Sequence, residues 1–150
     1  MLKVSSPYNL KLIKEIPTVD EKQAFEALEQ AHKLFLDQSK WIPAFQKIAI
    51  LERVVEIMKS RVEELTRTAA EEGGKPYKDS KVEVLRAING VKLAIEEIAQ
   101  LKGEQIPMGL TEASQNRIAF TMREPIGVVM SVSAFNHPLN LIIHQTVTAI

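Results

Sequence analysis

Two strongly polar residues, Asn136 and His137, interrupt an apolar part of the chain in the stretch S-A-F-N-H-P, residues 133–138. An asparagine amide donates and accepts hydrogen bonds without changing its charge, whereas a histidine can also become charged near neutral pH. Phe135 before the pair and Pro138 after it indicate a stiff, shaped turn, because solvated loops are richer in Gly, Ser and Asp. The pair is therefore a candidate for binding or catalysis.

The first two helices that could position this turn are predicted from capping and periodicity. Thr18 and Glu21 have the spacing of a capping box, which predicts a helix whose buried side carries Phe25, Leu28, Ala31 and Phe35. A second helix is predicted to start near Pro43 and to end at G-G-K-P, residues 73–76. Its apolar residues recur at spacings of three and four: Ile48, Leu51, Val55, Met58, Val62, Leu65 and Ala69.

A third helix is predicted from about Ser80, since Ser80 and Glu83 repeat the capping-box spacing. Its inner face is predicted to carry Leu85, Ile88, Val91, Ile95 and Ile98. Strict alternation over residues 117–123 then predicts a half-exposed strand, and the β-branched run 126–132 predicts a strand covered on both faces, as in a parallel sheet. Residues 1–17 read as a loose arm or a short strand.

The last predicted helix opens at Pro138, directly after the turn. At Ile150 the apolar pattern stops without a glycine, a capping residue or a polar tail, so we expect the chain to be truncated there.

Composition narrows the classes of function. Of the 150 residues, 45% are apolar and 25% charged, as in globular proteins, and 19 basic side chains balance 19 acidic ones. A net charge of zero gives no field that attracts nucleic acid or an anionic membrane. No apolar segment reaches the roughly 18–20 residues that span a bilayer, and the N-terminus lacks a signal peptide's apolar core, so we expect a cytoplasmic location. Without cysteine the chain has no disulfide, thiolate metal site or thiol nucleophile.

Four motifs in a fixed order carry a family resemblance. They are Trp41 before the long helix, Gly74-Lys75-Pro76 after it, the R-E-P-I-G-V segment 123–128, and A-F-N-H-P at 134–138. From about Thr18 onward this order resembles the N-terminal part of the aldehyde dehydrogenase superfamily. Each motif alone is weak, whereas their order and spacing together are specific.

The resemblance implies an α/β fold of which this chain is a truncated N-terminal part. It would be mostly helical, with three long helices followed by the first strands of a Rossmann-like parallel sheet. Residues 1–106 would form the helical part of the NAD(P)-binding domain, 107–125 a strand or hairpin of the oligomerisation element, and 126–150 the start of the sheet with the turn. The full-length protein would be a homo-oligomer, a dimer or tetramer.

The resemblance also implies a chemistry: oxidation of an aldehyde with NAD or NADP. In that family a cysteine attacks the carbonyl, hydride leaves to the nicotinamide, and a deacylation step follows. Asn136 matches the asparagine that donates to the substrate oxygen, where negative charge develops. Because this chain has no cysteine, we expect it to be inactive by itself.

Further site residues follow from the same resemblance. Val132, Ser133, Ala134 and Phe135 occupy the family's cofactor-contact strand end. His137 replaces the usual aromatic residue, as in the branch that includes phosphonoacetaldehyde dehydrogenases, and could bind an anionic head group. Arg86 could add a bidentate donor to that group.

Each assignment has a simpler structural alternative. Asn136 could cap the helix that starts at Pro138. His137 could be a partly buried histidine bonded to backbone, and Arg86 an interface or salt-bridge arginine. His144 reads as a core histidine with satisfied hydrogen bonds, and Lys75 and Lys78 as solvated surface residues.

The histidines lack the spacing of a metal site, so none is predicted. A second class of function is a standalone helical module that pairs with a partner or with itself and has no catalysis. The coding sequence after Ile150 separates these classes: a continuing frame with a Glu and a Cys favours the enzyme, and a stop codon favours the module.

Overall fold

The computed structural model describes residues 1–150 and consists of five helices and two small antiparallel hairpins. The helices are α1 (Glu21–Leu36), α2 (Ala44–Ser60), α3 (Val62–Gly73), α4 (Tyr77–Ile98) and α5 (Pro138–Val147). The strands are β1 (Leu2–Ser5), β2 (Leu12–Ile16), β3 (Gln105–Ile106) and β4 (Ala119–Phe120), paired as β1–β2 and β3–β4. Two 3₁₀ turns lie at Gln38–Lys40 and Glu112–Ser114.

Helix α4 is the centre of the fold, because α2, α3 and α5 all pack against it. The core is a cluster of apolar side chains from α2 and α4: Leu51, Val55, Met58, Val84, Ala87, Ile88 and Val91. Complete burial of a large aliphatic side chain contributes about 1.5–3 kcal/mol. The mostly helical N-terminal architecture predicted from periodicity is thereby confirmed, with α4 as the element on which the later site is built.

The predicted second helix is two helices. The chain breaks at Arg61, whose backbone leaves the helical region at φ −113° and ψ 16°. The apolar stripe continues across the break, and Thr66 and Ala69 of α3 are buried as Leu51 and Val55 of α2 are. A change of axis at Arg61 lets both segments pack against α4, which local periodicity does not reveal.

Both predicted capping boxes are wrong. Helix α1 is capped by Asp20, whose carboxylate accepts from Gln23 N at 2.8 Å while Gln23 Oε1 accepts from Asp20 N. Helix α4 begins at Tyr77, after Pro76, so Ser80 and Glu83 lie inside it and are buried. Proline at the cap starts α4 three residues earlier than the sequence spacing suggested.

The predicted inner faces are only partly correct. Ile88 and Val91 of α4 are buried, but Leu85 is 51% exposed, because the buried stripe runs through Val84 and Ala87 instead. No residue of α1 is buried. Its apolar side borders an open cleft of about 580 Å³ shared with residues 126–128.

The two predicted strands differ from the structure. Of residues 117–123 only Ala119–Phe120 form a strand, paired with Gln105–Ile106. Residues 126–132 form no strand, and Met130 is 87% exposed, so a covered strand is not found there. A strand needs a neighbour for its backbone hydrogen bonds, and no second strand of this chain lies beside residues 126–132. The N-terminal arm, in contrast, is the β1–β2 hairpin.

No helix combines the length and the apolar character that crossing a membrane requires.

Candidate active site

Two hydrogen bonds join the start of the S-A-F-N-H-P turn to α5. Gln145 Nε2 donates to Val132 O at 2.9 Å, and Ser133 Oγ donates to Pro138 O at 3.0 Å. Pro138 occupies the first turn of α5, where its missing N–H removes no helical hydrogen bond. Residues 133–137 thus form a loop whose start is held against the helix that follows it.

Asn136 lies in this loop with an exposed side chain that makes no hydrogen bond within the chain. It does not cap α5. The residue at the cap position is His137, and its side chain makes no capping bond either. The amide of Asn136 is therefore available to a group outside this chain.

A carboxylate from α4 caps α5 instead. Glu83 Oε1 accepts from the backbone N–H of Leu139 at 3.0 Å and of Asn140 at 3.2 Å. The free N–H groups and the positive end of the helix dipole both favour a negative charge at this place. Since Glu83 is only 1% exposed, α5 is bound to the centre of the fold through a buried charge.

Lys75 supplies the countercharge to Glu83. Its Nζ lies 2.6 Å from Glu83 Oε2, 3.0 Å from His137 Nδ1 and 3.2 Å from Asn136 O. An ammonium group has three N–H donors, so these three partners use all of them. The side chain is 16% exposed, and the prediction of a solvated Lys75 is wrong.

The G-G-K-P segment explains the direction of Lys75. Gly74 ends α3 in the left-handed conformation, with φ +58°, and the N–H groups of Gly74 and Lys75 both reach Ala70 O. Glycine adopts this conformation without a Cβ penalty. The reversal turns the chain from α3 into α4, and Lys75 then lies between α4 and the turn at residues 133–138.

Opposing effects act on the pKa of Glu83. Burial raises it, but the hydrogen bond from Lys75 and the backbone N–H groups of Asn140 and Leu139 favour the charged form. The net result is a pKa of Glu83 below its ordinary value. Glu83 is thus an ionised carboxylate that holds Lys75 and α5 at neutral pH.

His137 lies over this pair with its side chain 43% exposed. Lys75 can donate to Nδ1 only when that nitrogen carries no proton, so this contact favours the tautomer with the ring proton on Nε2. The residue of α4 that lies near His137 is Glu83, at 3.5 Å. Arg86, the other predicted substrate residue, is exposed on α4 and forms no ion pair or hydrogen bond in this chain.

His144 differs from its predicted role. It is exposed and borders an open groove between α2, α4 and α5 of about 840 Å³, rather than lying in the core. The face of α5 that packs on the core carries Leu139, Ile143 and Val147, which leaves residue 144 at the edge.

The four residues predicted at the cofactor are all exposed: Val132, Ser133, Ala134 and Phe135. Val132 is 69% and Phe135 91% exposed, and none of the four carries a charge. Such residues fit an apolar wall with backbone hydrogen-bonding groups beside a dinucleotide, but they do not supply a cation for its phosphates.

Two site residues, Lys75 and Glu83, were not identified as such from the sequence. The signal for Glu83 was an acidic residue on the buried stripe of α4, between Ser80 and Val84. A charge on a buried face requires a partner. Nothing in the sequence indicated that the partner was Lys75.

Comparison with known proteins identifies the family. The profile described as "Aldehyde dehydrogenase family" matches residues 1–150. A lactaldehyde dehydrogenase of Methanocaldococcus jannaschii is 37% identical over 147 residues, which are 98% of this chain and 30% of the relative. A 3-sulfolactaldehyde dehydrogenase of Priestia megaterium is 35% identical over 101 residues, 67% of this chain and 21% of the relative.

Two solved structures share the fold closely. Aldehyde dehydrogenase 21 from Physcomitrella patens, in complex with the reaction product succinate, has a TM-score of 0.93 at 32% identity, over 99% of this chain and 31% of that one. The glyceraldehyde-3-phosphate dehydrogenase GapN of Methanocaldococcus jannaschii, complexed with NADP, has a TM-score of 0.89 at 36% identity, with the same coverage. The chain spans about 30% of the length of these relatives. On its sequence and its fold, the chain belongs to the aldehyde dehydrogenase family.

Proposed function

We propose that this chain forms the N-terminal segment of an NAD(P)-dependent aldehyde dehydrogenase, in which Asn136 is the oxyanion donor. The observation that carries the proposal is the free side-chain amide of Asn136 on a turn whose backbone is held by Lys75 and followed by a helix start held by the buried Glu83. An unpartnered amide on a fixed turn is suited to a ligand, whereas a helix-capping asparagine would have its side chain engaged.

The chemistry requires such a donor. When a cysteine thiolate from outside these 150 residues adds to the aldehyde carbon, the carbonyl oxygen gains a negative charge. An N–H of Asn136 then donates to that oxygen, and the interaction strengthens as the charge develops. The amide stays neutral throughout and does not compete as a base. NAD or NADP supplies the hydride acceptor when it is bound beside residues 132–135.

The proposed substrate is a small aldehyde with an anionic head group. His137 supports this through its Nε2–H, which points a second donor away from Lys75. Of the relatives above, one is named for 3-sulfolactaldehyde, one is in complex with the reaction product succinate and one is named for glyceraldehyde 3-phosphate, and these molecules carry an anionic group. The fourth is named for lactaldehyde, which is neutral. The head group that we propose for the substrate is a phosphonate, a sulfonate or a carboxylate. Arg86 forms no hydrogen bond or ion pair with His137 or any other residue. It would therefore bind the head group only if the substrate extends as far as α4.

Oligomer formation belongs to the same proposal. The side chains of Ile118, Phe120 and Met122 are 87%, 66% and 71% exposed. Their alternation along residues 117–123 suits a strand that pairs with another subunit of a dimer or tetramer.

The test is a substitution in the enzyme expressed from the complete reading frame. Asn136→Ala should lower kcat by about 10²–10³-fold with a smaller change in KM, the usual loss for one oxyanion donor. Asn89→Ala, at an exposed position of α4 without a hydrogen-bond partner, is the matched control. Full activity of Asn136→Ala would contradict the assignment. The isolated 150-residue chain should form no NAD(P)H from aldehydes, and measurable turnover would overturn the requirement for an external cysteine.

A further inference from the structure

The pair of Lys75 and the buried Glu83 contacts the active-site turn, and we propose that it positions Asn136 and sets the tautomer of His137. Lys75 and Glu83 are positioning residues, since they touch the turn and not the reacting atoms. The kinetic part of this inference rests on the proposed role of Asn136, whereas the structural part does not.

The two charges bind backbone groups at the donor residue and just after it. Lys75 Nζ donates to the carbonyl of Asn136 itself, at 3.2 Å. Glu83 accepts from the N–H groups of Leu139 and Asn140, three and four residues later. A carbonyl held at Asn136 and two amides held at the start of α5 restrict how the peptide that follows Asn136 can rotate. An oxyanion donor needs such restriction, because a displacement of about 1 Å can cost 10²-fold in rate.

Stability alone is a poor explanation for the pair. Replacing a buried ion pair by apolar residues of similar volume is often neutral or stabilising, because two charges must be removed from water. The core beside Glu83 is already apolar, with Val84 and Ala87 fully buried. The partners of Lys75 and Glu83 are instead the turn and the first residues of α5.

The same lysine controls which nitrogen of His137 carries the proton. As a donor at 3.0 Å from Nδ1, Lys75 favours the tautomer with the proton on Nε2. That nitrogen then offers a hydrogen bond on the side of the ring away from Lys75. Without Lys75, Nδ1 can carry the proton and face Glu83 Oε2, 3.5 Å away. In the neutral ring the donor at Nε2 would then be lost.

The kinetic test compares Lys75→Met with Lys78→Met, an exposed lysine three residues along the chain, in the full-length enzyme. Lys75→Met should lower kcat by about 10–100-fold, the range expected for a misplaced group, while Lys78→Met should leave it unchanged. Lys75→Arg, which keeps the charge, should recover part of the loss. If Lys75 acts through Asn136, then Lys75→Met added to Asn136→Ala should cause little further loss. A fully multiplicative loss in the double variant would overturn the positioning role.

The structural test is hydrogen exchange of the segment 133–147, followed by mass spectrometry in the same full-length protein. Lys75→Met and Glu83→Gln should each speed exchange at the start of α5, relative to Lys78→Met and Glu71→Gln at exposed sites. Unchanged exchange in both variants would overturn the inference. If Lys75→Met fails to fold, Glu83→Gln carries the test, because its side chain keeps one acceptor oxygen. Faster exchange together with a fully active Asn136→Ala would support the positioning and reject only the oxyanion role.

Discussion

The partly buried Lys75 Nζ and the buried Glu83 Oε2 lie 2.6 Å apart, although the two residues are eight positions apart along the chain. Lys75 follows the left-handed Gly74 at the end of α3, and Glu83 lies inside α4. Lys75 also binds the backbone of the turn that bears Asn136, and Glu83 binds the first N–H groups of α5 after that turn. The pair therefore connects the helical core to the candidate active site, and both stability and activity should respond to it.

Acid should weaken this connection. The pKa of Glu83 is lower in the folded chain than its ordinary value of about 4.3, so folding favours the charged form. Its contribution is fully present above the ordinary value and is lost as the pH falls through the folded pKa. The urea concentration at the unfolding midpoint should accordingly decrease when the pH is lowered below about 4.3. The decrease should be smaller in Glu83→Gln.

The control for the acid experiment is Glu63→Gln. The pKa of Glu63 is also lowered, by hydrogen bonds from Lys81 and Tyr77, but Glu63 is exposed. Exposed ion pairs contribute little to stability, so this variant should keep most of the acid sensitivity. An acid profile changed as much by Glu63→Gln as by Glu83→Gln would show that the buried carboxylate has no special part in it.

The two adjacent glycines at the end of α3 should respond oppositely to alanine. In Gly74→Ala the new Cβ would lie 2.7 Å from Pro7 Cγ, in a residue with φ +58°. A left-handed conformation costs about 1–2 kcal/mol for a residue with a Cβ, so this variant should unfold at lower urea. Gly73 is helical, and in Gly73→Ala the new Cβ would lie 3.7 Å from Lys75 Cβ, an ordinary contact distance. It should be neutral or more stable by about 0.5–1 kcal/mol.

Equal losses in the two glycine variants would contradict the different backbone conformations on which this expectation depends.

Neighbouring aliphatic residues of α2 should differ in their contribution to the core. Leu51 is 2% exposed and belongs to the cluster with α4, whereas Ile50 is 44% exposed. Leu51→Ala should lower the free energy of unfolding by about 2–5 kcal/mol, through lost burial and the cavity left behind. Ile50→Ala should cost clearly less, since much of its side chain is already in water. Chemical denaturation of both variants measures the difference, and similar losses would place the core elsewhere.

His137→Phe should separate substrates by charge in the full-length enzyme. Phenylalanine keeps a ring of similar size but removes the Nε2 donor, so kcat/KM should fall about tenfold or more for aldehydes with an anionic head group. Neutral aldehydes of similar size should lose much less. Kinetics with a matched pair of substrates measures this selectivity. An equal loss for both would leave His137 with a packing role only.

Local features of the chain were predictable because they depend on neighbours in sequence. Apolar spacing predicted the long helices, Gly74 and Pro76 predicted the boundary between α3 and α4, and Pro138 predicted the start of α5. The order of four motifs, from Trp41 to the turn at Asn136, predicted the family, which the profile and the solved structures confirm. The absence of cysteine from these residues was likewise evident at once.

Tertiary structure decided the rest. Lys75 reaches the carbonyl of Asn136 across 61 residues, and no local pattern encodes a contact between a loop and a turn that distant helices bring together. The capping spacing of Ser80 and Glu83 was misleading for the same reason, because packing buried both residues in α4. Residues 126–132 have the composition of a covered strand, yet a strand forms only where another strand accepts its hydrogen bonds. Sequence specifies which residues can pair or be buried, and only the packed chain specifies with what.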